Sequence, residues 1–414
     1  MKIEEFIAIY GNEKQEVTDN FVTKSISTNY NIKDSFIEFG DNSYDARIIG
    51  KNLEYKIDID NSAHTINIYD NGHGVKDASN LFKLGGTNKD KDNGKIGKYG
   101  IGVPGASSSI AKECIYDKNE IVQVIYTSAH KGNMFKKRVA FNSDGTMRIG
   151  TTEYSTCDVN EHFTNILFKN VILENTSEII GALEETFENP LQNGFNISFN
   201  GRQLGKSNVR TFIGDEPVDV VKVGDDDVEI RYRIIGGNVN KGDREFEEAG
   251  LRIYDKNTGR LLGKSTKYWN WFVGREAQPN ICGLRAGIWI DSSLSSYTKF
   301  GILPAKNGVK YKQYYKQDDF KELSEKLSSI YRQAANTTPN EGVGEYKIGS
   351  RVFIRSGANF DGLYHYDEVC NSVLIKKGTP KLKDIAALVN ENINLKKRLE
   401  KNLKKKCITN EYNW

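Results

Sequence analysis

Apolar residues recur at every second position through the early part of the chain, and that spacing predicts strands. Residues 54–59 and 65–69 alternate in this way around Asn61-Ser62, which predicts a hairpin. A second pair, 121–127 and 136–141, flanks Lys131-Gly132-Asn133, and 195–199 runs into an Asn200-Gly201 turn, a strong hairpin signal. Between these stretches the period changes. Residues 31–49 and 174–187 carry apolar side chains at helical spacing, with Phe36, Ile37 and Ile48 available to a core. Strands alternating with helices and glycine-rich loops extend to about residue 204.

Beyond this the pattern is richer in strands, with runs at 228–235, 250–254 and 283–290, and it closes in an amphipathic helix. There Phe320, Leu323, Leu327 and Ile330 share one face. Pro339 and two glycines mark 336–344 as a linker. The remainder begins with strand-like runs at 351–354 and 372–376. It ends in a lysine-rich pattern in which Ile385, Leu388, Leu395 and Leu399 take heptad core positions for about two heptads. The expected division is therefore 1–204, 205–335 and 345–414, with no internal repeat.

Composition narrows the function classes. Of 414 residues, 27% are charged and 38% hydrophobic, as in globular proteins, and the net charge of +3 carries no global signature of nucleic-acid binding. No run approaches the roughly 20 apolar residues of a membrane span. Glu4 and Glu5 put acid where a secretion signal would be basic, so a cytoplasmic location is expected. Five cysteines, odd in number and far apart, form no Cys-x-x-Cys pair, which argues for reduced thiols over zinc or disulfides. Five scattered histidines argue against a triad or a metal site.

Three motifs carry candidate chemistry. Glu38, Asn42 and Asp45, spaced by four and three, lie on one helical face. An amide oxygen beside carboxylates suits a magnesium–triphosphate site, and a carboxylate one turn earlier suits activation of water. A solvated polar stripe on a surface helix would show the same spacing. Next, a strand ends at Asp70 with Gly72 and Gly74 following. A carboxylate there can accept from an exocyclic amine, and glycines admit a ligand closely, although an ordinary Asp-Asn-Gly turn reads alike. His73 within it is expected to face solvent. Third, Gly97, Gly100 and Gly102 precede a helix expected from Val103, an arrangement that offers backbone N–H groups and a positive helix end to phosphates. The polar stretch 88–94 has the composition of a closing lid. Residues 259–265 imitate a phosphate-binding loop but have one residue too few between their glycines, and are expected to turn between strands.

The ordered set Glu-x-x-x-Asn-x-x-Asp-Ala, Asp-x-Gly-x-Gly and Gly-x-x-Gly-x-Gly resembles the Bergerat ATP-binding fold of the GHKL superfamily, shared by gyrase, large heat-shock chaperones, histidine kinases and MutL. The resemblance implies an α+β chain. A two-layer α/β sandwich ATP-binding domain would be followed by a MutL/MORC-like α/β transducer domain and a small C-terminal β plus helical segment. It implies Glu38 as general base, Asn42 as Mg²⁺ ligand and Asp70 as reader of adenine. Asp45, Ala46, Gly72, Gly74, Gly97, Lys98, Tyr99, Gly100, Ile101, Gly102 and Thr164 would line the ATP site. Thr87 and Lys89 resemble a Thr-Ser-Lys element of MutL. Lys306 stands where the MutL second domain sends a lysine to the γ-phosphate; the alternative is an exposed lysine in a turn. The stretch 195–204 followed by 250–257 is similar to MORC ATPases. Gly40 departs from the MutL-like pattern and weakens its helix.

The implied activity is ATP hydrolysis, with ATP and Mg²⁺ as ligands, in a homodimeric clamp that ATP closes. DNA is the implied cargo by analogy with MutL and MORC. The lysine-rich end favours a solvated helix face or a partner protein's helix over DNA phosphates. A GHKL-type protein kinase is the alternative, but no phosphoacceptor-histidine helix precedes the ATP motifs. A non-catalytic ATP-dependent adaptor or a chaperone is the other.

Overall fold

The computed structural model describes residues 1–12, 30–82, 102–143, 147–205, 218–234, 249–265, 284–303, 306, 318–335, 344–346, 352–355, 361–364 and 373–375. The chain divides into two compact units. The first takes Met1–Thr211 together with Ile253–Gly263 and Trp289–Tyr311; the second takes Phe212–Arg252, Lys264–Ile288 and Lys312–Trp414.

Among the described residues of the first unit, nine strands form one sheet. They are β1 (Leu53–Asp60), β2 (Thr65–Asp70), β3 (Val122–His130), β4 (Asn133–Phe141), β5 (Met147–Ile149), β6 (Glu153–Thr156), β7 (Phe163–Lys169), β8 (Phe195–Phe199) and β9 (Arg202–Gln203). Their order is β5-β4-β3-β7-β2-β1-β8-β9, with β6 on β4. β8 runs parallel to β1, with Leu53 opposite Phe195, whereas β2 pairs antiparallel with both β1 and β7. Two hairpin turns use adjacent left-handed residues, Lys131-Gly132 and Asn200-Gly201, whose twist matches that of the strands they join.

Helices α1 (Ile3–Tyr10), α2 (Ile32–Asp45), α3 (Gly102–Glu113), α4 (Ser177–Thr186) and α5 (Glu188–Gln192) complete this part. α2 packs on α3, α4 and β1. Phe36 and Phe39 of α2 are buried with Tyr55, Ile57, Ile68, Tyr126 and Phe168, and Tyr55 Oη donates to Phe36 O over 2.8 Å. Truncating a buried phenylalanine such as Phe36 would cost about 3–5 kcal/mol. Ile48 does not join this core as the spacing suggested. The helix ends at Asp45, so Ile48 falls past it and is only half-buried.

Five more strands, β10 (Val218–Val223), β11 (Asp226–Ile234), β12 (Gly250–Asp255), β13 (Leu261–Ser265) and β14 (Leu284–Ile290), pair in the order β10-β11-β14-β12-β13. Helix α6 (Leu294–Lys299) follows β14. In the second unit the amphipathic helix α7 (Lys321–Ala335) buries Leu323, Leu327 and Ile330 along with the preceding Phe320, the face that the sequence spacing picks out. Lys326 of α7 pairs with Asp219 of β10 at 2.8 Å. Near the end β15 (Gly344–Tyr346) pairs with β18 (Val373–Ile375), and β16 (Val352–Arg355) with β17 (Asp361–Tyr364). The lysine-rich pattern lies outside the described residues.

Candidate active site

Helix α2 starts at a reciprocal cap. Asn31 Oδ1 accepts from Asp34 N–H at 2.9 Å, while the Asp34 carboxylate accepts from Asn31 N–H at 3.5 Å. One turn of polar residues follows along its inner face. Glu38 is 5% exposed, so the solvated-stripe alternative fails at this residue. Asn42 Nδ2 donates to Glu38 O at 2.9 Å and lies 3.5 Å from Glu38 Oε1. Asp45 is buried at the end of the helix. Gly40 now has a reason. A Cβ there would lie 2.8 Å from the Phe187 ring, so the glycine admits that ring against the helix.

Two further segments bring cations to Asp41 and Glu38. The β12–β13 turn is set by the Asp255 carboxylate, which accepts from Thr258 N–H and Thr258 Oγ1 at 2.8 Å each and from Tyr297 Oη at 2.7 Å. Gly259, at φ +71°, completes the turn and delivers Arg260. Arg260 Nε donates to Asp41 Oδ1, and its Nη1 donates to Leu261 O at 2.7 Å and Lys306 O at 3.1 Å. Lys306 follows α6, and its Nζ stands 2.6 Å from Asp41 Oδ2 and 3.1 Å from Glu38 Oε2. It is 3% exposed, which removes the reading of an exposed turn lysine. Burial works against its charge, but Asp41 and Glu38 outweigh that penalty and its pKa is raised. Its φ of +53° is unusual for a residue with a side chain and marks a constrained position.

The other end of the site is built by β2. Asp70 closes the strand, lies opposite Tyr55 on β1 and Thr164 on β7, and is buried. Burial raises its pKa to about 6, against the opposing hydrogen bonds from Gly72 N–H at 2.9 Å and Ser43 Oγ at 3.2 Å. Ser43 belongs to α2, so the helix that carries Glu38 also contacts Asp70. Ala46 O, just past the helix, accepts from His73 N–H at 2.7 Å and holds the loop. A Cβ on Gly72 would meet Ala46 O at 2.7 Å, and one on Gly74 would meet Ala129 O at 1.9 Å. Thr164 sits 3.4 Å from Ser128, whose hydroxyl accepts from Val75 N–H at 2.8 Å.

α3 begins at Gly102, one residue before the expected start, and a Cβ on that glycine would fall 1.7 Å from Glu38 Oε1. The positive end of the helix therefore abuts the Glu38 carboxylate. Thr87, Lys89, Gly97, Lys98, Tyr99, Gly100 and Ile101 lie outside the described residues, as does the 88–94 stretch. Asp41, Arg260, Ser43 and Ser128 were not singled out by sequence. Asp41 was legible as a further acid on the same helix, whereas Arg260 was hidden inside a stretch that reads as a plain turn, which it also is.

The histidines are less scattered in space than in sequence. The His130 ring lies 6.0 Å, centroid to centroid, from both His73 and His162, and His73 is solvent-exposed as expected. Among the described residues no group of three or more His, Cys, Asp or Glu is arranged to hold a metal. Cys114 and Cys157 are free thiols, and no described helix is long and apolar enough to cross a membrane. For magnesium the donor chemistry fits. Asn42 offers an uncharged amide oxygen beside buried carboxylates, and this ion is commonly held by one or two protein ligands plus phosphate oxygens.

A buried carboxylate at a strand end, an acid–amide helix and a helix start against Glu38 thus gather on one sheet. Residues 30–159 match the family model of histidine kinase-, DNA gyrase B- and HSP90-like ATPases. Comparison with curated proteins found no match. Among solved structures, the ATPase and transducer domains of DNA topoisomerase II from Balamuthia mandrillaris are similar at 14% identity and a TM-score of 0.40, covering 73% of this chain and 84% of that one. The ATPase region of Saccharomyces cerevisiae topoisomerase II is similar at 12% identity and a TM-score of 0.39, covering 73% and 85%.

Proposed function

We propose that this chain binds ATP with Mg²⁺, hydrolyses it, and closes as a nucleotide-gated dimeric clamp, closest in kind to MORC and MutL ATPases. The observation that carries the reading is the burial of Glu38 in contact with Lys306 at 3.1 Å, with the start of α3 against the same carboxylate. A buried acid, a buried cation and a helix N-terminus meeting at one point suit a terminal phosphate and an attacking water.

In this reading Asp70 accepts a hydrogen bond from the adenine amine, and Gly72 and Gly74 let the backbone approach the base. Ala46, Asp45 and Thr164 flank that end. The α3 N-terminus and residues 97–102 receive the phosphates, with Thr87 and Lys89 beside them. Asn42 holds Mg²⁺, which when bound would neutralise phosphate charge. Glu38 takes a proton from water as the water oxygen bonds to the γ-phosphorus and the bond to the β–γ bridging oxygen breaks. Lys306 contacts the γ-phosphate, and its release after hydrolysis reopens the clamp. Residues 1–204 form the ATP domain and 205–335 a transducer-like second domain, of which Ile253–Gly263 and Trp289–Tyr311 group with the first compact unit. Residues 345–414 form a small β-rich and lysine-rich helical region that meets a partner protein. All lie in the cytoplasm, with DNA as cargo.

Glu38→Ala tests the chemistry. The variant is expected to bind ATP by calorimetry, to show no turnover, and to accumulate as a dimer with ATP; wild-type turnover would remove Glu38 as the base. ATPase rate should rise steeply with protein concentration if two protomers close. The logarithm of DNA affinity should fall linearly with log salt concentration, and absence of binding at low salt would exclude DNA.

A further inference from the structure

Four charged side chains share one buried cluster: Glu38 and Asp41 from α2, Arg260 from the β12–β13 turn, and Lys306 from the stretch after α6. Their exposures are 5%, 0%, 1% and 3%, and two negative charges balance two positive ones. Lys306 divides its ammonium between Glu38 at 3.1 Å and Asp41 at 2.6 Å, closer to Asp41. Arg260 holds the other Asp41 oxygen through Nε and the Lys306 carbonyl through Nη1. It therefore fixes both the counter-charge of Lys306 and its backbone. A planar guanidinium can make these contacts together; an ammonium cannot.

We propose that Asp41 and Arg260 are positioning residues that set Lys306 for a terminal phosphate, and that their charge balance sets the preference for ATP over ADP. This rests on the nucleotide reading above. Asp41 and a γ-phosphate compete for the same ammonium. Arg260 satisfies much of Asp41's charge, so Lys306 can be shared with an arriving phosphate. Without Arg260, Asp41 holds Lys306 back. Without Asp41, an arriving phosphate meets two cations beside a single carboxylate, and the closer competitor for Lys306 is gone. Removing both restores one acid against one base, Glu38 and Lys306.

The test uses the full chain with magnesium and calorimetry of ADP and of a β,γ-imido analogue of ATP. Lys306→Ala should lower the analogue-over-ADP affinity ratio by about tenfold or more, as expected for loss of one charge-assisted contact. Arg260→Met should lose most of that ratio, whereas Asp41→Asn, which removes the competitor for Lys306, should raise it by about threefold or more. The double variant should recover it to within about threefold of wild type, a rescue that a merely structural role would not produce. A double variant no better than the poorer single one overturns the proposal, as do folded single variants with the wild-type ratio. If Arg260→Met does not fold, Arg260→Lys keeps the charge without the fork and should still lower the ratio; a wild-type ratio there overturns the proposal. An unchanged ratio in Lys306→Ala removes the γ-phosphate role and this proposal with it. Absence of any nucleotide binding to wild type would remove the nucleotide reading itself.

Discussion

Replacing Asp70 by asparagine should stabilise the protein at pH 8 and, on the proposed nucleotide reading, weaken binding of adenine nucleotides. Burial raises the Asp70 pKa to about 6, whereas an unfolded aspartate titrates near 3.9. Between those values the folded state keeps a proton that the unfolded state has lost, so stability falls as pH rises through this window. About two units at roughly 1.4 kcal/mol each amount to about 3 kcal/mol lost by pH 7. Asp70→Asn removes that titration. The surroundings tolerate the amide: Gly72 N–H can donate to its oxygen, and Ser43 can donate to Phe39 O, 2.9 Å away, while accepting from the new nitrogen. Melting temperatures of both proteins, measured without nucleotide from pH 4 to 8, should nearly coincide at pH 4 and diverge upward, with the variant higher by several degrees. Calorimetry at pH 8 should show the variant losing adenine-nucleotide affinity. A variant less stable than wild type at pH 8, with a gap that does not change with pH, would refute the argument.

Three glycines give further predictions. Gly40→Ala should destabilise by about 1–3 kcal/mol in thermal melts despite alanine's higher helix propensity, because the new methyl meets the Phe187 ring at 2.8 Å. Gly74→Ala combines a left-handed φ of +72° with a clash against Ala129 O at 1.9 Å, so it should lower stability by more than about 2 kcal/mol. Gly102→Ala places a methyl 1.7 Å from Glu38 Oε1, and should cut ATP turnover at least about tenfold while changing the melting temperature far less than Gly74→Ala.

Local patterns settled a good deal of this protein. The two hairpins with Lys131-Gly132 and Asn200-Gly201 turns, the helix with Glu38 and Asn42 on one face, and the apolar face of α7 follow from spacing of 2 or 3.6 residues. Asp70 at a strand end before two glycines was likewise readable, because a strand, a turn and a backbone approach each demand their residue locally. Pairings between distant segments were not. Arg260 lies 219 residues from Asp41, and only the packing of the chain makes them partners. A glycine at position 40 reads as a weak point in a helix until Phe187 is seen against it. Lys306 looks like any loop lysine until burial strips its water and two carboxylates replace it. Sequence periodicity reports which face of an element is apolar, but burial and counter-charges are properties of what comes to rest on that face, and these only the tertiary structure decides.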